Sequence, residues 1–309
     1  MRSNRTMTRI AACAALLLAW PPTAAMADES PHPEGEIHLQ EHLDAASTKD
    51  IAKQVNNPLA TLWTLQNQFD ITTVNDIPTG SGSRDDQVKF NWGFQPVLPL
   101  HITKDFNLLN RAVITLLQEN PVPDPGGSGG TTGAVGFGDT ILANILAPNK
   151  PNGFIWGIGP TWQFPSASSD FTGTGKYSVG PAAAAIYIGE HWVFSLFPQQ
   201  WFSYAGDGDR DDVSLLDMQY GAWRLFPGGW QVGFAQDLTV NWKATSGNKV
   251  TFPIGIGVGR TFPIGGIHMK IDGQISYAVV SPDDSGQRVG FRIRVTPVIA
   301  PLCCKGTMF

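Results

Sequence analysis

The last stretch of the chain, from Ile267 to Ile299, alternates apolar and polar residues almost without exception. Before a turn at 281–286 the apolar residues fall on odd positions and the polar ones on even positions. After the turn the same alternation resumes. A period of two is the pattern of a β-strand that buries or exposes its two faces differently. The stretch therefore predicts a β-hairpin with one oily and one charged face.

The oily face could meet either of two environments. In a soluble sandwich it would pack in the core, whereas in an outer-membrane barrel it would face lipid and leave the charged face to line the lumen. The chain carries 10 Trp and 17 Phe but no apolar run long enough for a transmembrane helix. These features favour an all-β fold, a transmembrane antiparallel β-barrel of about twelve strands.

The connectors support the same fold. Those after odd-numbered strands are mostly long and polar, and those after even-numbered strands are tight, as expected when both termini lie in the periplasm. Trp230 and Trp242 share a face of strand nine and would lie in the two interfacial aromatic belts. The fourth strand alternates poorly around Gly138–Thr140, which indicates a bulge. The predicted strands are 59–71, 87–98, 106–117, 136–146, 154–164, 177–188, 192–204, 213–225, 230–243, 251–262, 267–279 and 288–299.

The N-terminal region predicts export. Residues 1–27 have the arginines, short apolar run and small-residue end of a signal peptide, and their removal changes the formal charge from −5 to −8. Such acidity argues against nucleic-acid binding. Residues 28–57 are expected to form a periplasmic lead-in with one short helix, placed either in the periplasm or in the barrel mouth. The barrel follows at 58–300 and a tail with Cys303 and Cys304 at 301–309.

Several runs of the chain carry a resemblance to a known family through their order and spacing. They are Asn57–Ala60 with Gln66–Phe69, Gln95–Pro99, Gly136–Thr140, Trp156–Thr161, Gly173–Lys176, Gln200–Asp207 and Pro253–Gly259. Taken in order, these runs resemble the phenol-degradation (MetA-pathway) group of bacterial outer-membrane proteins. The resemblance implies an outer-membrane channel or uptake protein for small molecules, with aromatic or other apolar compounds among its cargoes. The chain departs from this group in adding Pro301–Phe309 after its last strand.

Two short motifs could bind metal. His38 and His42 flank a carboxylate in the H-x-x-E-H pattern of zinc peptidases, but the surrounding tail offers no domain to complete a site. The segment Asp207–Asp212 has the alternating carboxylates of a calcium loop without its distal glutamate. A solvated outer loop that contacts lipopolysaccharide is the favoured interpretation, and we expect no metal site and no cofactor.

Enzymatic barrels are the rival class. A barrel esterase or protease needs a histidine near the outer rim. His101, His191 and His268 are all expected at the periplasmic end. We therefore expect no enzyme activity, and a barrel without transport remains the main alternative to a channel.

The candidate site is the lumen. Its charged residues are expected either to form a selectivity surface or to stiffen the interior through salt bridges. The expected partners are outer-membrane lipid and lipopolysaccharide, the barrel-assembly machinery and a small-molecule cargo, with the barrel acting as a monomer. The residues predicted to line the pore are Lys89, Arg111, Asp237, Lys243, Lys270, Asp272, Arg292 and Arg294.

Overall fold

The computed structural model describes residues 48–59, 61–79, 82–84, 86–124, 126 and 129–299. No helix within those ranges is long and apolar enough to cross a membrane. The elements are α1 (Thr48–Val55), β1 (Trp63–Asn75), β2 (Ile77–Thr79), β3 (Gly82–Arg84), β4 (Gln87–His101), β5 (Phe106–Pro123), β6 (Thr131–Gly136), β7 (Thr140–Pro148), β8 (Gly153–Phe164), β9 (Lys176–Ile188), β10 (Trp192–Gly206), β11 (Ser214–Leu225), β12 (Trp230–Asn241), β13 (Val250–Ile264), β14 (Ile267–Val280) and β15 (Gly286–Ile299).

Twelve of these strands form a closed antiparallel barrel. Each pairs with its neighbour in the chain, and β1 closes the ring by pairing with β15, with Phe69 opposite Ile293. The tight turns gather at one end of the barrel, which we call the inner end, and the longer loops gather at the other, which we call the outer end. The tight turns are 102–105, 149–152, 189–191, 226–229 and 265–266. The predicted fold is confirmed.

The predicted fourth strand is wrong at its start. Instead of a bulged strand from Gly136, the chain ends β6 there and resumes the barrel with β7 at Thr140. The hairpin of β6 with the end of β5 extends the wall at the end of the barrel that carries the longer loops. The three residues between them leave the ladder to hold a neighbouring loop, as described below.

The outer face of the barrel is apolar and exposed. On the last hairpin, Phe291 and Ile293 are 50% and 53% exposed, whereas the alternating Lys270 and Asp272 are 3% and 1% exposed inside. An exposed belt of this kind is stable only against lipid. The alternation in the sequence therefore separates lipid-facing from lumen-facing side chains.

The helix α1 lies against the end of the barrel that carries the tight turns. Lys49 forms an ion pair with Glu190 in the β9–β10 turn, at 3.7 Å, and Gln54 Nε2 donates to Pro151 O in the β7–β8 turn, at 2.9 Å. The side chain of Ile51 packs with Val298 at the end of β15. Of the two places that the sequence left open for residues 28–57, the part described from Thr48 onward lies at the barrel mouth.

Candidate functional site

The lumen has two unlike walls. Along β5 and β7 to β11, inward side chains near the inner end are apolar, and Leu59 of the N-terminal segment packs among them. Leu59 needs the space at Gly157, where an added Cβ would come within 3.1 Å of the leucine side chain. The opposite wall, from β12 round to β4, carries the ion pairs. The charged face of the strands thus lines one side of the lumen and not the other.

On the polar wall, Asp272 binds two cations. Its carboxylate lies 3.1 Å from Lys270 Nζ and 3.0 Å from Arg294 Nε, and all three side chains are less than a tenth exposed. Both cations also lie over the ring of Trp223 on β11, at 4.6 and 5.7 Å from its centroid. This cluster, which we call the inner triad (Lys270, Asp272 and Arg294), spans the lumen from β15 to β11.

Arg292 forms a second layer above the inner triad. Its guanidinium donates to Asp70 at 2.6 Å and to Asp237 at 2.9 Å, and so links β1 with β12. The side chain also donates to the carbonyl of Ala235 at 2.9 Å, while Gln274 Oε1 accepts from the amide of the same residue at 2.8 Å. Both polar groups of the Ala235 backbone are thus bonded to lumen side chains.

These long side chains can lie along the wall because β13 presents glycine to the lumen. At Gly257 an added Cβ would meet Gln274 Cγ at 2.4 Å. The register of β12 with β13 has paired positions up to Gly233 and again from Thr239. Between those positions the side chains of Arg292 and Gln274 form hydrogen bonds with the backbone of β12 at Ala235.

Above this layer lies an outer chamber of about 210 Å³. Its boundary includes Lys89, Asp70, Asp237 and Arg292, together with small residues. One of these is Gly290, where an added Cβ would come within 2.7 Å of a serine hydroxyl on β14. The absence of a side chain at Gly290 leaves room for the chamber.

Below the layer, an inner chamber of about 60 Å³ lies between the N-terminal segment and the wall. Arg111 borders it, donates to Gln95 at 3.0 Å, and lies 5.3 Å from the ring centroid of Phe197. Since Arg111 is on β5 and Phe197 on β10, this contact crosses the lumen.

Seven of the eight predicted lining residues lie on barrel strands at the two chambers or in the inner triad. Lys243 differs, because β12 ends at Asn241 and Lys243 lies in the outer loop, where its ammonium pairs with Asp212 at 3.8 Å. Sequence reasoning did not select Asp70 or Trp223. Asp70 lies on the polar, lumen-facing side of the first predicted strand, so the alternation could have identified it. Trp223 lies on a strand whose alternation is weak, so the sequence gives no such signal for it.

The other candidate sites fall in different places. His101, His191 and His268 lie at the inner end, as expected. In the loop Asp207–Asp212, Asp212 pairs with Lys176 at 3.8 Å. The segment with His38 and His42 and the tail with Cys303 and Cys304 lie outside the described residues.

Three runs that carry the family resemblance meet at the outer rim. Asp139, between β6 and β7, accepts from the amide and the hydroxyl of Thr174, each at 2.7 Å. Arg210 donates to the carbonyl of Gly173 at 2.7 Å, and the amide of Asp207 donates to Gly175 O at 3.0 Å. Asp139 thus holds the β8–β9 loop against the barrel rim.

No family model and no curated protein matches the chain. Among solved structures, an outer-membrane channel from Pseudomonas putida F1 is similar, with a TM-score of 0.55 and 14% identity over 78% of this chain and 97% of that channel. Outer membrane phospholipase A from Escherichia coli has a TM-score of 0.40 and 13% identity over 84% and 100% of the two chains. A Pseudomonas aeruginosa FadL homologue has a TM-score of 0.40 and 9% identity over 78% and 91%.

At these identities the likeness concerns the fold, and the two weaker matches carry no functional weight. The closed barrel, its exposed apolar belt and the fold of an outer-membrane channel place the protein in the outer membrane.

Proposed function

We propose that the protein is a channel or uptake protein for small molecules, and that aromatic or otherwise apolar compounds are its cargo. The observation that carries the proposal is the outer chamber, a space of about 210 Å³ inside a closed barrel wall. That volume is below the few hundred Å³ of drug-sized pockets, so it suits a small cargo. The similar fold of the Pseudomonas putida channel supports the same function class.

The lining of the outer chamber supports the cargo class. Pro253 and Ala278 border it together with Arg292 and Asp237, so a small aromatic compound with one polar group could place its ring against the first two residues and its polar group on the side of the other two. The resemblance to the phenol-degradation group points the same way. That family label and the pore-lining roles of the charged residues are part of this proposal.

We also propose that the protein is not an enzyme. The described histidines lie at the inner end, away from the rim where barrel hydrolases and proteases need a base. The partners proposed are lipopolysaccharide, the barrel-assembly machinery and the cargo itself. Cleavage after residue 27, a periplasmic lead-in to 57 and a tail after 300 complete the proposed organisation of the chain.

Single-channel conductance in planar bilayers tests the function. The double variant Arg292→Ala/Arg294→Ala removes two side chains that narrow the lumen, so we expect a larger current than in wild type. Arg260→Ala is a matched control, because Arg260 is exposed and lies over Trp230 at 5.3 Å. A barrel without transport is supported instead if wild type passes no current and liposomes take up no solute.

A further inference from the structure

Three residues that border the inner chamber each carry a buried hydrogen-bond donor that has no partner in the described part of the chain. The donors are Arg294 Nη2, Asn57 Nδ2 and Thr296 Oγ1, and the residues are 6%, 4% and 3% exposed. The orientation of the Asn57 amide follows from its contacts, because its Oδ1 accepts from the amide of Leu59 at 2.8 Å. The Nδ2 group is then the donor without a partner. Buried donors without partners are rare and call for an occupant.

The charge around the chamber is unbalanced. Arg111, Lys270 and Arg294 border it, and none of the described residues that line it is acidic. Asp272 pairs with two of these cations, whereas Arg111 has no carboxylate within 4 Å in the described part of the chain, and Asp237 and Asp217 act on it only from a greater distance. Its hydrogen-bond partner, Gln95, is neutral. Cations in a water-poor interior need compensating negative charge.

The aromatic rings supply part of that compensation. Lys270 and Arg294 lie over Trp223, and Arg111 lies over Phe197. A ring face stabilises a cation but accepts no hydrogen bond from the three free donors. An anion would satisfy both requirements, since it accepts hydrogen bonds and carries negative charge.

We propose that the inner chamber binds a small monovalent anion, such as a halide or a formate-sized carboxylate. Its volume of about 60 Å³ admits an ion of that size and excludes a larger organic acid. Asn57 belongs to the N-terminal segment, and Arg294 and Thr296 belong to β15. The bound anion therefore joins the segment to the barrel wall and stabilises the closed inner end. This site is independent of the cargo proposed above.

Bromide is the probe. Crystals of the full chain grown without halide and soaked in bromide should show an anomalous peak within hydrogen-bond distance of Arg294 Nη2 and Asn57 Nδ2. In detergent, the thermal unfolding midpoint should be higher in sodium chloride or formate than in sodium gluconate at equal ionic strength, because gluconate is too large for the chamber.

The variant Asn57→Asp tests the assignment. It keeps the acceptor for Leu59 and replaces the free donor by a carboxylate oxygen, so it should abolish the bromide peak and the halide dependence. Asn152→Asp makes the same charge change at an exposed position of the same end and should keep both. If Asn57→Asp does not assemble, Thr296→Val decides, with bromide binding weakened about tenfold by the loss of one donor to a charged ligand.

A chamber that contains only water in bromide-soaked wild-type crystals overturns the proposal. So does a bromide peak or a halide dependence that Asn57→Asp and Thr296→Val leave unchanged. Neither result would bear on whether the barrel conducts solutes.

Discussion

Asp272→Asn tests whether water is excluded from the ion pairs of the polar wall. The substitution keeps the size of the side chain but removes the charge that Lys270 and Arg294 share at 3.1 and 3.0 Å. Asp272 is 1% exposed, so water cannot replace the lost charge. Removing one partner from a buried ion pair typically costs about 3–5 kcal/mol. Because two cations lose the same partner here, we expect a loss in the upper half of that range.

The assay is urea unfolding in detergent, followed by tryptophan fluorescence and by heat-dependent mobility on gels. Glu190→Gln is the control, since Glu190 is exposed and pairs with Lys49 at 3.7 Å, and exposed pairs contribute about 0–1 kcal/mol. Adding Lys270→Met to Asp272→Asn removes one uncompensated cation and should restore part of the stability. A loss for Asp272→Asn no greater than that of Glu190→Gln would refute the reasoning, because it would mean that water fills the lumen at this level.

Three further predictions concern the segment, the rim and the lipid face. Asn56→Leu removes the amide that accepts from Lys270 at 2.6 Å and donates to Gln231 at 2.5 Å, so the N-terminal segment should leave the mouth more often and the single-channel current should rise. Asp139→Ala removes the acceptor for Thr174 and should make the β8–β9 loop more sensitive to protease, while the free energy of unfolding of the barrel falls by no more than about 1–3 kcal/mol. Ile293→Lys places a charge on the lipid face and should cost about 2–4 kcal/mol in urea unfolding from lipid vesicles. Unchanged current, unchanged proteolysis and unchanged unfolding, respectively, would contradict them.

The alternation of odd and even positions along each strand predicted much of the barrel, because every side chain of a closed sheet points either to the lipid or to the lumen. Where one face is apolar and the other charged, as from Ile267 to Ile299, parity also separated lipid from lumen correctly. It could not do so where both faces are apolar. Ala182, Ala184 and Ile186 face inward next to exposed apolar neighbours on the same strand, so no polarity contrast marks the apolar wall.

The remaining features depend on contacts between distant parts of the chain. Asp139 bonds to a residue 35 positions away, and this contact rather than a bulge breaks the fourth predicted strand. The place of α1 depends on the fit of Leu59 at Gly157, which lie on different elements. Arg292 lies on the strand next to Asp272 but pairs with Asp70 and Asp237, because those carboxylates lie at its own level. Periodicity gives the face of a residue and not its partner.

The rate at which proteoliposomes take up a small labelled aromatic solute tests the central claim most directly. Gly290→Trp fills the outer chamber, whereas Gly273→Trp adds the same ring on the lipid face of β14, where an added Cβ has no atom within 4 Å. We predict uptake faster than in protein-free liposomes for wild type and Gly273→Trp, and uptake near the protein-free rate for Gly290→Trp. Wild-type uptake equal to that of lipid alone, or uptake that Gly290→Trp leaves intact, would contradict a channel through this lumen.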